Sequence, residues 1–386
     1  MQGGRASARN EGAEARVVLL TMSPGGDSVS QFGHAELCIV SSARRRGDCF
    51  NYGVPLDKAP SSWAIARGGL IYHVQREAFD RVDRHYQSQG RAVWAQVIPV
   101  PSEEIPALHR QLIRDAIPQE SEYEYEPFTK NCTTRVRDIL DAALHGKLRL
   151  SAVGGSAVTY RDDAAGAIRG DAFDATVMDL LLGSRGDETL TEWESLYLPR
   201  RLREHLASKL GLVPRLLPSA DVALPQRKPR PEGQRGAAWA LACCIAFVVL
   251  LLLGRLCARL IPSLIALSLG VSGAALWYLI AFGAHEQAWP NYAILVLCPL
   301  DLVLITCVRG IGVWVLRYLE IRIFLCALVA ASVVAEIISQ PIATEALTVG
   351  VILFSALRAA QRACSLPDRG PPQGDHLSAK EPSTVK

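Results

Sequence analysis

The sequence has no Cys-x-x-Cys pair and no His-Glu-x-x-His motif, so no metal site is expected, and nothing in it calls for any other cofactor. It also lacks a glycine-rich phosphate loop, which removes the common nucleotide-dependent classes. The formal charge is only +3, and no basic patch with interleaved aromatics is present, so nucleic acid is not an expected partner. Charge itself is scarce, at 20% of residues against 49% hydrophobic. The shortage is uneven. Acidic residues nearly run out after Glu232, and Ala237 to Ala363 is a series of long apolar runs separated by single charges, Gly and Pro.

A helix that crosses the hydrocarbon core needs roughly 20 apolar residues. Five stretches of the C-terminal half approach that length: Ala237–Gly254, Leu260–Gly283, Trp289–Val308, Ile321–Ser339 and Ile342–Ala359. Runs such as Cys243 to Leu253 are apolar on every face, unlike the one-sided stripe of a helix on a soluble core. The expected organisation is a soluble domain over 16–216, a Pro-rich linker over 217–236, an all-α transmembrane bundle over 237–363 and a polar tail over 364–386.

Arg and Lys in short loops mark the cytoplasmic side of a membrane. Arg255 and Arg259 follow the first run, Arg309, Arg317 and Arg322 the third, and Arg358 and Arg362 the fifth. The opposite connections, Ala284 to Ala288 and the turn around Glu345, contain neither Arg nor Lys. This places the soluble domain outside the cytoplasm and the C-terminus inside it, in a multi-pass membrane protein. The cluster Arg227, Lys228, Arg230 and Arg235 disagrees, but three loops outweigh one linker. An exported domain calls for a signal peptide, whereas Met1 to Ala15 is polar throughout, so the true start is expected upstream unless the first span draws the domain across.

The soluble part reads as α+β. Arg16–Thr21, Ala35–Val40, Cys49–Tyr52, Leu70–Gln75 and Ala92–Val100 are short, rich in β-branched and aromatic residues, and bounded by turn formers, as in strands of a mostly antiparallel sheet. Ser102–Ile117 and Thr133–Leu144 repeat apolar residues at helical spacing, and Leu180–Leu212 also reads as helical. Asn131 and Cys132 fall at the start of the second helix. A helix N-terminus stabilises a thiolate and lowers a thiol pKa, which makes Cys132 a candidate nucleophile; a small buried residue is the plainer reading. His34 opens an apolar strand, where it can serve as the base for a thiol. Cys38 and Cys49 flank the turn Ser41 to Asp48 at a spacing that suits a cross-strand pair. In an oxidising compartment their pairing leaves Cys132 as the free thiol of this domain.

Several runs carry a resemblance: Leu19-Leu20-Thr21-Met22-Ser23-Pro24-Gly25, Phe32-Gly33-His34-Ala35, Asn51-Tyr52-Gly53, Gly69-Leu70-Ile71-Tyr72, Gly90-Arg91 and Asn131-Cys132-Thr133-Thr134-Arg135-Val136-Arg137-Asp138. Taken in order over Val17 to Leu212, the chain resembles the Lnb-type lipoprotein N-acyltransferases. The membrane half fits more loosely, through His285, Asn291 and Pro299. The family domain is similar to circularly permuted papain-like enzymes of the NlpC and lecithin-retinol acyltransferase type, in which the His precedes the Cys.

The resemblance implies Cys132 as nucleophile and His34 as general base, and Asn51 is the candidate that orients the imidazole or, alternatively, a turn residue before Gly53. Asn131 and Arg135 belong to the same block as candidate substrate-binding residues, with an Arg135–Asp138 ion pair as the structural alternative. His285 and Asn291, on the external loop, either hold a headgroup or ester carbonyl or satisfy backbone groups at the membrane interface. The implied reaction takes an acyl chain from a phospholipid through a Cys thioester to the α-amine of a diacylglyceryl lipoprotein. The alternatives are a membrane-tethered thiol hydrolase, either a peptidase or amidase or a lipid deacylase, and a non-catalytic scaffold.

Overall fold

The architecture comes from a computed structural model that describes residues 15–26, 30–41, 46–56, 60–118, 120–167, 172–217, 260–308 and 312–364. The expected first span Ala237–Gly254, the linker beyond Leu217, the segment before Ala15 and the tail beyond Cys364 lie outside the described residues.

The N-terminal domain is built on a seven-stranded antiparallel sheet: β1 Ala15–Met22, β2 His34–Ser41, β3 Gly47–Pro55, β4 Leu70–Ala78, β5 Val93–Ile98, β6 Tyr123–Tyr125 and, past the two-stranded β7 Gly155–Thr159 and β8 Thr189–Thr191, β9 Arg215–Leu216. The order across the sheet is β6-β4-β3-β2-β1-β5-β9. Strand β1 shows no alternation because both faces are covered: Val17 and Leu19 enter one core, Val18, Leu20 and Met22 the other. The first core packs under helices Ile105–Asp115, Cys132–Ala143 and Pro199–Leu210, and the second under helix Phe79–Ser88 through Phe79, Val82 and Tyr86. The five expected strands are present. Cys38 and Cys49 face each other in the β2–β3 register and are joined as a disulfide, so Cys132 is the free thiol of this domain among the described residues.

Helix boundaries differ from the expected ones by one to three residues at their starts. Ser102–Glu104 form a turn before Ile105, and the second helix starts at Cys132 because Asn131 caps it: its Oδ1 accepts from the Thr134 N–H at 2.9 Å while Thr134 Oγ1 accepts from the Asn131 N–H at 2.9 Å. Leu180–Leu212 is several pieces rather than one helix, with Ala172–Leu181, Glu192–Ser195 and Pro199–Leu210 separated at Gly183, at β8 and before Pro199.

In the C-terminal region the helices Leu260–Phe282, Val313–Val334 and Ala343–Cys364 pack through Ala266, Leu276, Leu319, Leu353 and neighbours. Two helical stretches, Ser263–Phe282 and Ala343–Gln361, are long and apolar enough to cross a membrane. Of the five expected stretches, the first lies outside the described residues, the second, fourth and fifth overlap helices Leu260–Phe282, Val313–Val334 and Ala343–Cys364, and the third is not one continuous helix. The third expected span, Trp289–Val308, is broken into a short helix Ala293–Val296 and a 3-10 stretch Pro299–Val308. Pro290 and Pro299 remove backbone donors from it, and the carbonyls freed at Leu295 and Val296 accept instead from the Arg322 guanidinium, at 2.7 Å each. The same guanidinium pairs with Asp301, whose side chain is 0% exposed. Arg322 is therefore not the loop charge that the topology argument counted; it lies inside helix Val313–Val334, held by a carboxylate.

The bundle meets the soluble domain through backbone hydrogen bonds. Ala284 N donates to Arg67 O at 2.9 Å, Gly183 N to Gln287 O at 2.9 Å, and Ser184 N to Pro290 O at 2.8 Å. Gln340, just before the last helix, donates to Asp179 O at 3.1 Å. Both connections expected to be external, the one around His285 and the one leading to Glu345, thus lie on the domain's side of the bundle.

Candidate active site

Alternation along β2 sends Ala35 and Leu37 to the core under the Cys132 helix, and His34 and Glu36 to the opposite face, toward Tyr86. Asn51 shares that face, since its neighbours Phe50 and Tyr52 belong to the first core. A cysteine opening a helix on one face can meet a histidine from the other only at the end of the strands. There the chain supplies Gly53: a Cβ at this position would sit 2.5 Å from His34 Cε1, 3.3 Å from His34 Nδ1 and 3.3 Å from Cys132 Cβ. The missing side chain is the space in which imidazole and thiol approach.

The tautomer follows from Asn51. Its Oδ1 accepts from the Gly53 N–H at 2.8 Å, which fixes the amide, so the 2.9 Å bond to His34 Nε2 is donated by the imidazole. Nδ1, on the side of Gly53 and Cys132, is then the free base. Glu36 Oε1 stands 3.6 Å from Nε2 and accepts from the Tyr86 hydroxyl at 3.0 Å. Burial lifts the Glu36 carboxyl to about 7, so near neutral pH the first proton taken up by this pair goes to Glu36. His34 stays neutral.

Helix-start donors do not set the thiol on their own. Burial raises the Cys132 pKa and outweighs the backbone donors of Ala35 and Thr133 and the Thr133 hydroxyl, which pull it down. The expected lowering is corrected accordingly: nine-tenths of Cys132 is out of water, and desolvation exceeds what the helix terminus returns. Burial also lowers His34 below its ordinary 6.5, with Arg91 adding to the effect and Glu36 and Asn51 opposing it. The resting pair is neutral, so an attack by this thiol would transfer its proton in the same step.

A pH dependence follows with a definite sign. His34 is competent only when unprotonated, and its lowered pKa keeps it so through 6.5. The acid limb of kcat/KM is expected below pH 6.5, with a plateau across neutral pH because the thiol is raised; a pH-rate profile with an acid limb above 6.5 contradicts this. A second expectation concerns Gly53. Gly53→Ala forces the imidazole away from the sulfur, and a shift of about 1 Å costs on the order of 100-fold in kcat. Steady-state kinetics beside a thermal melt separate this loss from unfolding.

The remaining expected site residues divide. Asn131 borders the same cavity, but its amide donates to Pro127 O at 2.7 Å and Tyr197 O at 3.2 Å, so it positions the helix start. Arg135 does not line the cavity; it stacks on Tyr123 at 4.5 Å, and Asp138 pairs with Arg137 rather than with Arg135. His285 does reach the site from the membrane half. Its Nε2 donates to Ile65 O at 2.6 Å and its Nδ1 lies 3.4 Å from Glu126 Oε1. Burial alone lowers its pKa, but Glu126 and the Ile65 carbonyl reverse this and raise it. Glu126 Oε2 in turn accepts from the N–H groups of Phe128 and Thr129, ordering the turn that leads to Cys132. Asn291 is off the cavity; its amide donates to Leu180 O at 2.8 Å, which joins bundle to domain, while its Oδ1 accepts from Ala293 N and Gln340 within the bundle.

Sequence reasoning missed Glu36, although its position two residues after His34 on a strand was a signal of a shared face. It missed Glu126 as well, which no local pattern marks.

A family model of the Lnb N-terminal periplasmic domain matches residues 5–164, and one of the Lnb transmembrane domain matches residues 236–363. The chain belongs to the Lnb family. The two matches stand in the order of domain then bundle, and they make this Lnb protein a membrane protein. Searches of curated proteins and of solved structures found no match.

Proposed function

We propose that this Lnb protein is a cysteine acyltransferase of a bacterial inner membrane, with a permuted papain-like domain on the periplasmic side. The observation that carries the reading is the cavity at Cys132. It measures about 430 Å³ and is bordered by Cys132, His34 and Asn51 together with Leu279, Ile280 and His285 of the membrane half. A thiol site that shares its walls with a membrane helix is suited to substrates that never leave the bilayer.

In the reading, the thiol attacks the ester carbonyl of a phospholipid while His34 Nδ1 takes its proton. The C–S bond forms, the ester C–O bond breaks, and the lysophospholipid leaves with the proton returned by His34. The backbone N–H groups around Cys132 face the developing oxyanion. The α-amine of a diacylglyceryl lipoprotein then attacks the thioester, giving an amide and restoring the thiol. Hydrolysis of a wall peptide fits less well, since a peptide presents polar groups to walls such as Leu181, Leu279 and Ile280.

The test is mass spectrometry of the N-terminal peptide of a reporter lipoprotein, from cells that lack lipoprotein N-acyltransferase and express this protein. A gain of one acyl chain on the amine is expected. No gain, with the protein present in the membrane fraction, overturns the reading.

A further inference from the structure

The cavity has two chemically different arms. On the His34 side, Gln31, His85, Gln89 and Arg91 border it, and Arg91 stacks on Tyr86 at 4.8 Å, itself 6.0 Å from the His34 ring. On the bundle side the walls are Met178, Leu181, Leu279 and Ile280, closed by Ile65 of helix Ser62–Arg67. A hydrocarbon chain is stabilised in the second arm, where its CH₂ groups leave water against apolar walls.

That arm ends where the membrane begins. Leu279 and Ile280 lie in the last turn of Leu260–Phe282, a helix with the length and apolarity of a membrane span. Beside them Trp63 stacks on Tyr278 at 6.1 Å, with both rings close to half exposed, and Phe282 is exposed as well. Aromatic side chains of this kind collect at the level of lipid headgroups. His285 holds Ile65 O, and Ala284 N holds Arg67 O, so helix Ser62–Arg67 is fastened along the end of the membrane helix. The seam between these two helices therefore lies at the end of the membrane span, bordered by the exposed rings of Trp63 and Tyr278.

We propose that the bundle-side arm is the acyl-chain site, filled by one chain of a membrane lipid that enters through this seam, and that Met178, Leu181, Leu279 and Ile280 set the length of chain accepted. This rests on the acyl-transfer reading of Cys132 and adds where the chain lies and which residues select it. The membrane helix is then part of the substrate site as well as an anchor.

The test uses the full-length protein in vesicles of phosphatidylethanolamine with an equimolar mixture of acyl chain lengths, and reads the lengths found on the reporter amine and released as free fatty acid. Leu279→Trp and Met178→Trp fill the arm and are expected to shift the ratio of long to short chains toward short by about tenfold or more, the scale of a misfit in an apolar pocket. Leu279→Ala and Met178→Ala enlarge it and are expected to shift the ratio toward long chains, which decides the matter if a Trp variant does not fold. An unchanged length ratio in the folded variants overturns the proposal while leaving acyl transfer intact. Fatty acid released with the same length shift but none on the amine keeps the chain site and overturns the transferase. Neither transfer nor release by the unaltered protein overturns both.

Discussion

Cys132→Ala is expected to lower acyl transfer to the reporter amine by roughly 10⁶-fold, to background, because a removed nucleophile in a coupled unit takes the whole unit with it. The structure explains why no other group substitutes. Cys132 is the free thiol of the domain among the described residues, Cys38 and Cys49 being joined, and the Thr133 hydroxyl points to the sulfur, 3.8 Å away. His34→Ala is expected to cost nearly as much, and the double variant no more than either single one, since the neutral pair needs Nδ1 to accept the proton during attack. The fold should barely notice: losing one sulfur atom beside an existing cavity costs about 1 kcal/mol. The check is the reporter mass together with a thermal melt. A Cys132→Ala variant that still acylates the amine moves the chemistry to another residue.

What the sequence makes legible here is what local patterning controls. The strands bearing His34 and Asn51 are announced by β-branched runs between turn formers, and the start of the Cys132 helix by a polar cap before an apolar period. The cross-strand position of Cys38 and Cys49 follows from one short turn. Helix Phe79–Ser88 was not expected, because its buried face is only Phe79, Val82 and Tyr86 among charged residues. The edge strands β6 and β9 are too short to leave a periodic trace.

Long-range relations were legible only in part. That Gly53 leaves the space between His34 and Cys132 depends on two faces of a sheet meeting at its end, which no single segment encodes. The thiol was expected to be lowered by its helix, yet burial is a property of the assembled domain and dominates. The role of His285 was left between headgroup binding and satisfying backbone groups; its contacts are with Ile65 O and Glu126, so it ties the bundle to the turn before Cys132. Counting apolar residues also overlooked that Asp301 is the partner of Arg322, so the third stretch was read as one continuous helix.

That ion pair carries the second large expectation. Arg322→Ala leaves the Asp301 carboxylate without its cation at a fully buried position, and leaves the carbonyls of Leu295 and Val296 without their donor. Breaking one side of a buried pair costs about 3–5 kcal/mol, and water does not enter the bilayer core to compensate the carbonyls. Asp301→Ala strands the guanidinium in the same way and removes the acceptor of the Tyr318 hydroxyl, which donates to Asp301 at 2.7 Å. The double change Asp301→Leu with Arg322→Met is expected to recover a large part of the loss, since an uncharged pair has no desolvation cost. It does not recover all of it, because Leu295 O and Val296 O still lack a donor. Unfolding of the purified protein in detergent, followed by helical circular dichroism, should therefore rank wild type above the double variant and the double variant above both singles. Single variants as stable as wild type would mean that the broken segment is held by its apolar packing alone. The consequence for activity runs through position rather than chemistry. The segment fixed by Arg322 begins at Asn291, whose amide holds Leu180 O on the helix that supplies Met178 and Leu181 to the cavity. Loss of the ion pair should thus blur the length of chain transferred before it stops transfer.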